Sequence, residues 1–370
     1  MTQDNYLSES MGERLSDKKQ MLQAQEHKEF VNWCLEKGKY PESHTGLAES
    51  TTDNYLSRLD QIKRWIWDNY GYGRITHDHA EAYLQGLMQD TILDDSGDIY
   101  SGSNKRKLVN TLQKYFSWRA DQKGGDKWTP QYNFDESAGK QADSFTREER
   151  RQIRDVALEY DTIPQYHSVS PDERDRWQAY LAQRLEKPKT EVTPADWDRV
   201  RDSWKISSLV WVSLDAGLRP IEVERASLDW IRLEKSTLYI PKDDAAKNRE
   251  SWEVSLTEKS TDALRHWLEQ RQNKSKYDGR NEIWLTREAN PYKSKSLGRL
   301  IRDICDEAGI PTENRKITWY SIRHSVGDHM TTEGGIEQTK EQLRHKNIET
   351  TIKYTNPTPE ERRDTLDRIG

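Results

Sequence analysis

The segment Ser236–Thr257, STLYIPKDDAAKNRESWEVSLT, decides the fold class. Two short runs with strand-like alternation, Leu238 to Ile240 and Trp252 to Leu256, flank a polar turn, a pattern that predicts a β-hairpin. A third short strand is expected near Ile283 to Leu285. Outward from these runs, apolar residues repeat at helical spacing. The expected fold is mainly α with a small antiparallel β-sheet.

On the N-terminal side, HKEFVNWCLEKG carries Phe30, Val31, Cys34 and Leu35 at helical spacing and stops at Gly38. STTDNYLSRLDQIKRWIWDNYG opens with Ser and Thr caps and repeats Tyr55, Leu59, Ile62 and Ile66. Two more helices are expected in THDHAEAYLQGLMQD and SNKRKLVNTLQKYFSWRADQKGG. These make a helical domain over 23–125, preceded by a frayed polar tail over 1–22 and followed by a linker over 126–144. A second domain over 145–356 opens at FTREERRQIRDVALEY, where Thr146 and Glu149 have capping-box spacing. It contains a charged insert over about 160–204 that predicts one or two surface helices. The tail 357–370 reads as a short helix with Leu366 and Ile369 on its apolar side.

Composition narrows the function classes. The chain has 370 residues, 33% of them apolar, with 58 basic against 64 acidic residues and a net charge of −6. Its longest apolar run, around Leu209 to Leu214, is far below the roughly 20 residues of a membrane span, and the start MTQDNYLSES has no secretory core. No membrane partner and a cytoplasmic, nucleoid-associated location are expected. Cys34 and Cys305 have neither disulfide nor zinc spacing, so neither metal nor cofactor is expected. A negative chain argues mildly against nucleic acid, but Ser101 to Ala120 holds Lys105, Arg106, Lys107, Lys114 and Arg119 with no acidic residue. A local basic face for DNA is expected there.

Four segments carry candidate chemistry. In DAGLRPIEVERASLDW, Gly217 should end a helix and Pro220 open the next, which puts Arg219 at a helix N-terminus with Glu222 three residues on. In ITWYSIRHSVGDHM, Tyr320 and Arg323 are three apart and should share a helical face, with His324 a satisfied core or helix-face histidine. In LRHKNIETTIKYTN, His345 and Tyr354 can meet one ligand only if the helix breaks between them, and Asn347 is the expected break and N-cap. The hairpin turn offers Lys247, or less readily Lys242, as a cation or proton donor.

In this order, GLRPIE, the hairpin lysine, SIRHS and LRHKNIETTIKY resemble the tyrosine recombinase family, the phage-type integrases. The resemblance covers most of 145–356 and extends more weakly to the N-terminal helices, which look like that family's DNA-clamping, core-binding domain. It implies a catalytic set of Arg219, Lys247, Tyr320, Arg323, His345 and Tyr354, with Glu222 behind Arg219. Lys247 is preferred to Lys242 because the eight residues to Ser255 match the family's hairpin spacing. Two positions depart from the pattern: Tyr320 stands where His is usual, and Arg344 where Gly is usual.

The chemistry implied is cleavage of a phosphodiester without metal or ATP. That needs a nucleophile, neutralisation of two non-bridging oxygens and a proton for the leaving 5′ oxygen. Tyr354 would attack and form a 3′-phosphotyrosyl bond, the two arginines would grip the phosphate, His345 would orient it or take the tyrosine proton, and Lys247 would act as general acid. The expected partner is double-stranded DNA at specific sites, bound by a homotetramer that is a monomer or weak dimer when free, with an accessory or directionality factor as a further candidate. The alternatives are a type IB topoisomerase-like relaxing enzyme and a non-catalytic DNA-binding protein.

Overall fold

The computed structural model describes residues 6–134, 141–245, 250–354, 363, 366 and 367. The chain divides into two compact units, Met1–Lys140 and Gln141–Gly370. Lys247 and nearly all of the tail 357–370 lie outside the described residues.

The first unit is helical: α1 (Glu9–Gly12), α2 (Asp17–Lys37), α3 (Glu49–Tyr70), α4 (His77–Met88) and α5 (Gly102–Lys123). Helix α2 stops at Gly38, and Thr76 and Ser101 cap α4 and α5 with their hydroxyls. Helix α3 instead starts after Ala48, one turn ahead of the expected Ser and Thr caps. Phe30, Trp33, Leu59, Ile62, Leu112 and Trp118 share one core. Trp33, not Leu35, points inward from α2, while Leu35 is exposed.

From residue 6 on, the start of the chain departs from the frayed tail expected over 1–22. Leu7, Met11 and Leu15 are buried and pack with Ala24 and Trp67, and the Ser8 hydroxyl donates to Asp60 at 2.8 Å. Three apolar side chains around the single turn α1 suffice to dock a polar segment. The linker is partly ordered too, since Trp128 is buried and donates its indole N–H to Glu81 at 2.8 Å.

The second unit runs α6 (Arg147–Glu159), α7 (Pro171–Arg184), α8 (Pro194–Arg199), α9 (Trp204–Ala216), α10 (Pro220–Arg225), β1 (Ile231–Arg232), β2 (Thr237–Ile240), β3 (Trp252–Ser255), α11 (Glu258–Arg271), α12 (Ser294–Glu307), α13 (Trp319–Leu343) and α14 (Glu349–Ile352). Helix α9 is the centre, packed against α6, α11 and α13. Its Leu209, Val210, Val212 and Leu214 are all fully buried, which is why this stretch is apolar around its whole circumference. The sheet order is β1-β2-β3, antiparallel throughout, with Leu238 opposite Val254 and Ile240 opposite Trp252. Leu238, Ile240 and Val254 face the core while Tyr239, between them, is exposed.

The third strand is therefore β1, not Ile283 to Leu285. That buried run makes only the isolated bridges Ser227–Glu282 and Leu285–Pro291 at its ends. Continuous apolar character marks burial on all sides, which a core segment of any conformation shares. The insert also differs from the expected surface helices: Trp177, Tyr180, Leu181 and Trp197 on α7 and α8 form a small core of their own. Among the described residues no helix is long and apolar enough to cross a membrane.

Candidate active site

Helix α9 ends where Gly217 adopts a left-handed conformation, φ 57° and ψ 43°. A Cβ there would lie 2.6 Å from Leu343 Cδ2, so this turn needs glycine for both its dihedral and its close approach to the end of α13. Pro220 opens α10, with Arg219 at the N-cap. The Arg219 backbone N–H donates to Glu222 Oε2 at 2.8 Å, and its Nη1 donates to Oε1 at 2.7 Å.

Glu222 is shared by a second guanidinium. Arg344 Nη2 donates to Glu222 Oε2 at 2.7 Å and Nε to Oε1 at 3.3 Å, while Nη1 reaches the carbonyls of Ala216 and Gln342, each at 2.7 Å. Arg344 caps α13 in the left-handed region, φ 57°. The resemblance puts glycine at this position, and the dihedral supplies the physical reason. Arg323 completes the cluster: Nη1 donates to the Gly217 carbonyl at 2.7 Å and Nη2 to the Leu343 carbonyl.

Burial alone would raise the Glu222 carboxyl, but Arg344, Arg219 and Arg323 together hold it down at about 2. Burial lowers the Arg323 guanidinium well below its ordinary value, and the neighbouring Arg344 and Arg219 add to this. Three guanidinium groups (+3) and one carboxylate (−1) leave two positive charges uncompensated. A buried excess of this kind is relieved by an anion, and planar N–H forks suit the oxygens of a phosphate.

His345 and Tyr354 meet because α13 ends at Leu343. The chain turns at Arg344, and Ile348, not Asn347, is the N-cap of α14. The two rings are nearly parallel, 5° apart in plane, with centroids 6.1 Å apart. His345 Nδ1 is 2.8 Å from Thr351 Oγ1. Burial, reinforced by Arg323 and Arg219, lowers its imidazole to about 3. Tyr354 is 6% exposed. Burial pushes its phenol up to about 12, with Asp328 adding to the rise and Arg323 and Arg219 opposing it.

His324, expected only as a satisfied core or helix-face histidine, has its Nδ1 2.9 Å from the Tyr354 hydroxyl. It was legible only as the residue beside Arg323, because the turn at 344–348 decides what it faces. Tyr320 lies in the first turn of α13. It is 40% exposed, and its ring pairs with His324, four residues on, at a centroid distance of 6.4 Å.

The two hairpin lysines separate: Lys242 is exposed in the β2–β3 turn, and Lys247 falls outside the described residues. The five basic residues of α5 do not form one face. Lys105 is buried and paired with Asp90, Lys114 Nζ bonds the Gly38 carbonyl at 2.5 Å, and Arg119 lies over the Tyr115 ring, 5.8 Å from its centroid. Arg106 and Lys107 are exposed. At 100° per residue, adjacent basic residues point around the helix, and the long apolar stems of the inward ones become part of the packing.

Residues 197–361 match the model of the phage integrase family. No curated protein matches the chain. Among solved structures it is similar to XerH site-specific recombinase bound to palindromic difH substrate in a post-cleavage complex, at 15% identity and a TM-score of 0.55, over 97% of this chain and 90% of that one. It is also similar to the Tn1549 transposon integrase in complex with a circular intermediate DNA, at 10% identity and a TM-score of 0.53, over 92% of this chain and 98% of that one. At such identities these likenesses concern the fold, and they agree with the family match. Over residues 197–361 the chain is similar to the phage integrase family, and the solved site-specific recombinase and integrase structures share its fold.

Proposed function

We propose that this protein is a site-specific DNA recombinase that cuts and rejoins double-stranded DNA through a 3′-phosphotyrosyl bond to Tyr354. The observation that carries the reading is the convergence of Tyr354 with the buried cluster of Arg219, Arg323 and Arg344 around Glu222. Arg219 and Arg323 grip the scissile phosphate and neutralise the charge that develops on its non-bridging oxygens. His345, with Nδ1 engaged by Thr351, keeps one ring nitrogen for a phosphate oxygen. Lys247 supplies the proton to the leaving 5′ oxygen, with Lys242 as the other hairpin candidate. Tyr320, at the edge of the site, hydrogen-bonds to the DNA backbone.

The phosphotyrosyl ester conserves the energy of the broken bond, so rejoining to a new 5′-hydroxyl draws on neither ATP nor a metal. The helices within residues 23–125 of the N-terminal unit clamp the duplex. The enzyme assembles as a homotetramer on paired sites, a chemistry that serves integration, excision and dimer resolution alike. The similar structures support this partner, since the XerH recombinase is bound to difH substrate and the Tn1549 integrase is in complex with DNA.

The test uses nicked suicide duplexes tiling the DNA on either side of the coding region, incubated with wild type and Tyr354→Phe. A covalent adduct on denaturing gels with wild type alone is expected. Retention of every duplex on native gels without any adduct would overturn the catalytic reading in favour of a DNA-binding protein. If an adduct forms, accumulation of four-way junctions distinguishes recombination from topoisomerase-like relaxation.

A further inference from the structure

We infer that His324 is the base that takes the Tyr354 proton, and that Gly327 provides the seat holding the phenol against it. The inference rests on the assignment of Tyr354 as nucleophile. The family resemblance leaves His345 either to orient the phosphate or to take this proton, and the geometry separates the two histidines. His324 Nδ1 is 2.9 Å from the Tyr354 hydroxyl, whereas His345 Nδ1 is engaged by Thr351 Oγ1 at 2.8 Å. His345 instead meets the tyrosine through its ring, nearly parallel to the phenol at a centroid distance of 6.1 Å.

A second, independent observation shows that the tyrosine is docked against this stretch of α13. A Cβ at Gly327 would lie 2.7 Å from both Cε1 and Cζ of Tyr354. Gly327 is three residues from His324 and so on the same helical face, and the missing side chain lets the ring lie directly on the helix backbone. Val326 and Leu343 close the apolar side of the seat. A tyrosine held in this way presents its hydroxyl to His324 before DNA arrives.

The groups around His324 determine its proton affinity. It faces Tyr354, the Tyr320 ring and the Gln141 side-chain amide at 3.2 Å, and it lies within the fields of Lys353 and Arg323. Burial, then Lys353 and Arg323, lowers it to about 4, so the imidazole is neutral and accepting at neutral pH. A phosphate entering the arginine cluster offsets both cations and raises its basicity. Because the phenol sits near 12, the proton moves as the new bond forms, not before.

The step balances. The Tyr354 Oη–H bond breaks and its proton passes to His324 Nδ1, whose ring enters as the Nε2–H tautomer. The oxygen's electron pair forms the Oη–P bond, the P–O5′ bond breaks, and the 5′ oxygen leaves as a hydroxyl with a proton from the hairpin lysine. In rejoining, the protonated His324 returns its proton to the departing phenolate.

The experiment measures single-turnover adduct formation by the full chain between pH 5.5 and 8, on the nicked duplex that gives an adduct with wild type. His324→Asn keeps an acceptor near Nδ1 but cannot hold a proton, and His324→Gln is the second variant should His324→Asn fail to fold. Wild type should be nearly pH-independent over this range. The variant should be slower by about 10²- to 10⁴-fold and should regain rate log-linearly with pH, as hydroxide replaces the base. A duplex with a 5′-bridging sulfur, whose leaving group needs no acid, should rescue Lys247→Ala but not His324→Asn. A wild-type rate or profile in the variant, or rescue by sulfur, overturns the inference. If Tyr354→Phe still forms the adduct, the nucleophile assignment itself falls, a failure distinct from the others.

Discussion

Arg344 and Glu222 form an ion pair of 2.7 Å in which each side chain is 1% exposed. The same carboxylate binds Arg219, so one buried anion aligns an arginine of α10 with the residue that ends α13. Replacing Arg344 with the glycine usual at this position would relieve a left-handed backbone costing about 1 kcal/mol. It would also strip Glu222 of one partner and leave the Ala216 and Gln342 carbonyls without their donor. Breaking a buried pair costs about 3–5 kcal/mol, so the second effect wins. Arg344→Gly should destabilise the C-terminal unit by about 2–4 kcal/mol in urea unfolding; unchanged or higher stability would show that the pair is not an anchor.

The arginines should not tolerate lysine. Arg219→Lys and Arg323→Lys keep the charge but lose the fork that binds two oxygens. Removing one such donor at a developing charge costs about 10²- to 10³-fold. Each variant should lose about that much single-turnover adduct rate, with duplex retention on native gels little changed. Adduct formation at the wild-type rate would exclude that residue from the phosphate grip.

Gly327→Ala should separate docking of the tyrosine from folding. The added methyl meets the Tyr354 ring, not the helix's own backbone, and Tyr354 belongs to the short segment after α13, which can move away. Circular dichroism and thermal unfolding should change little, while adduct formation falls about tenfold or more. Full activity in this variant would mean that the tyrosine reacts from another position.

Acid should destabilise the fold through its histidines. His345 and His324 are held at about 3 and about 4, below the unfolded value near 6.5, by burial and then by nearby cations. Below 6.5 the unfolded chain takes up protons that the folded site refuses, so stability is full above that pH and is lost as pH falls toward 4. Each histidine contributes a slope of at most about 1.4 kcal/mol per pH unit. Thermal unfolding between pH 7 and 4.5 should reveal this, and His345→Gln should flatten it; an unchanged slope would place the acid sensitivity elsewhere.

The basic residues of α5 should divide by exposure. Arg106→Ala and Lys107→Ala should each weaken duplex binding and reduce its salt slope by about one. Lys105→Ala should act on thermal stability instead, since Lys105 is buried beside Asp90. A salt slope altered by Lys105→Ala at unchanged stability would reverse that division.

Local sequence determined the elements and their ends. Alternation marks Leu238 to Ile240 and Trp252 to Val254 as a hairpin, Gly217 and Pro220 place the turn between α9 and α10, and Thr146 with Glu149 starts α6. The ordered arginines, histidine and tyrosine, with their spacing, were sufficient to point to the family. These features depend on neighbours a few residues apart, which a linear chain displays. Only the tertiary structure decided which side chains meet. His324 and Tyr354 are 30 residues apart and Arg344 and Glu222 are 122 apart. Their pairing depends on the left-handed turn at Arg344, the glycine seat on α13 and the inward path of the chain past α9. The same physics buried Lys105, tied Lys114 to the Gly38 carbonyl and docked Leu7, Met11 and Leu15. A side chain's charge or polarity states what it can bind, and packing selects the partner.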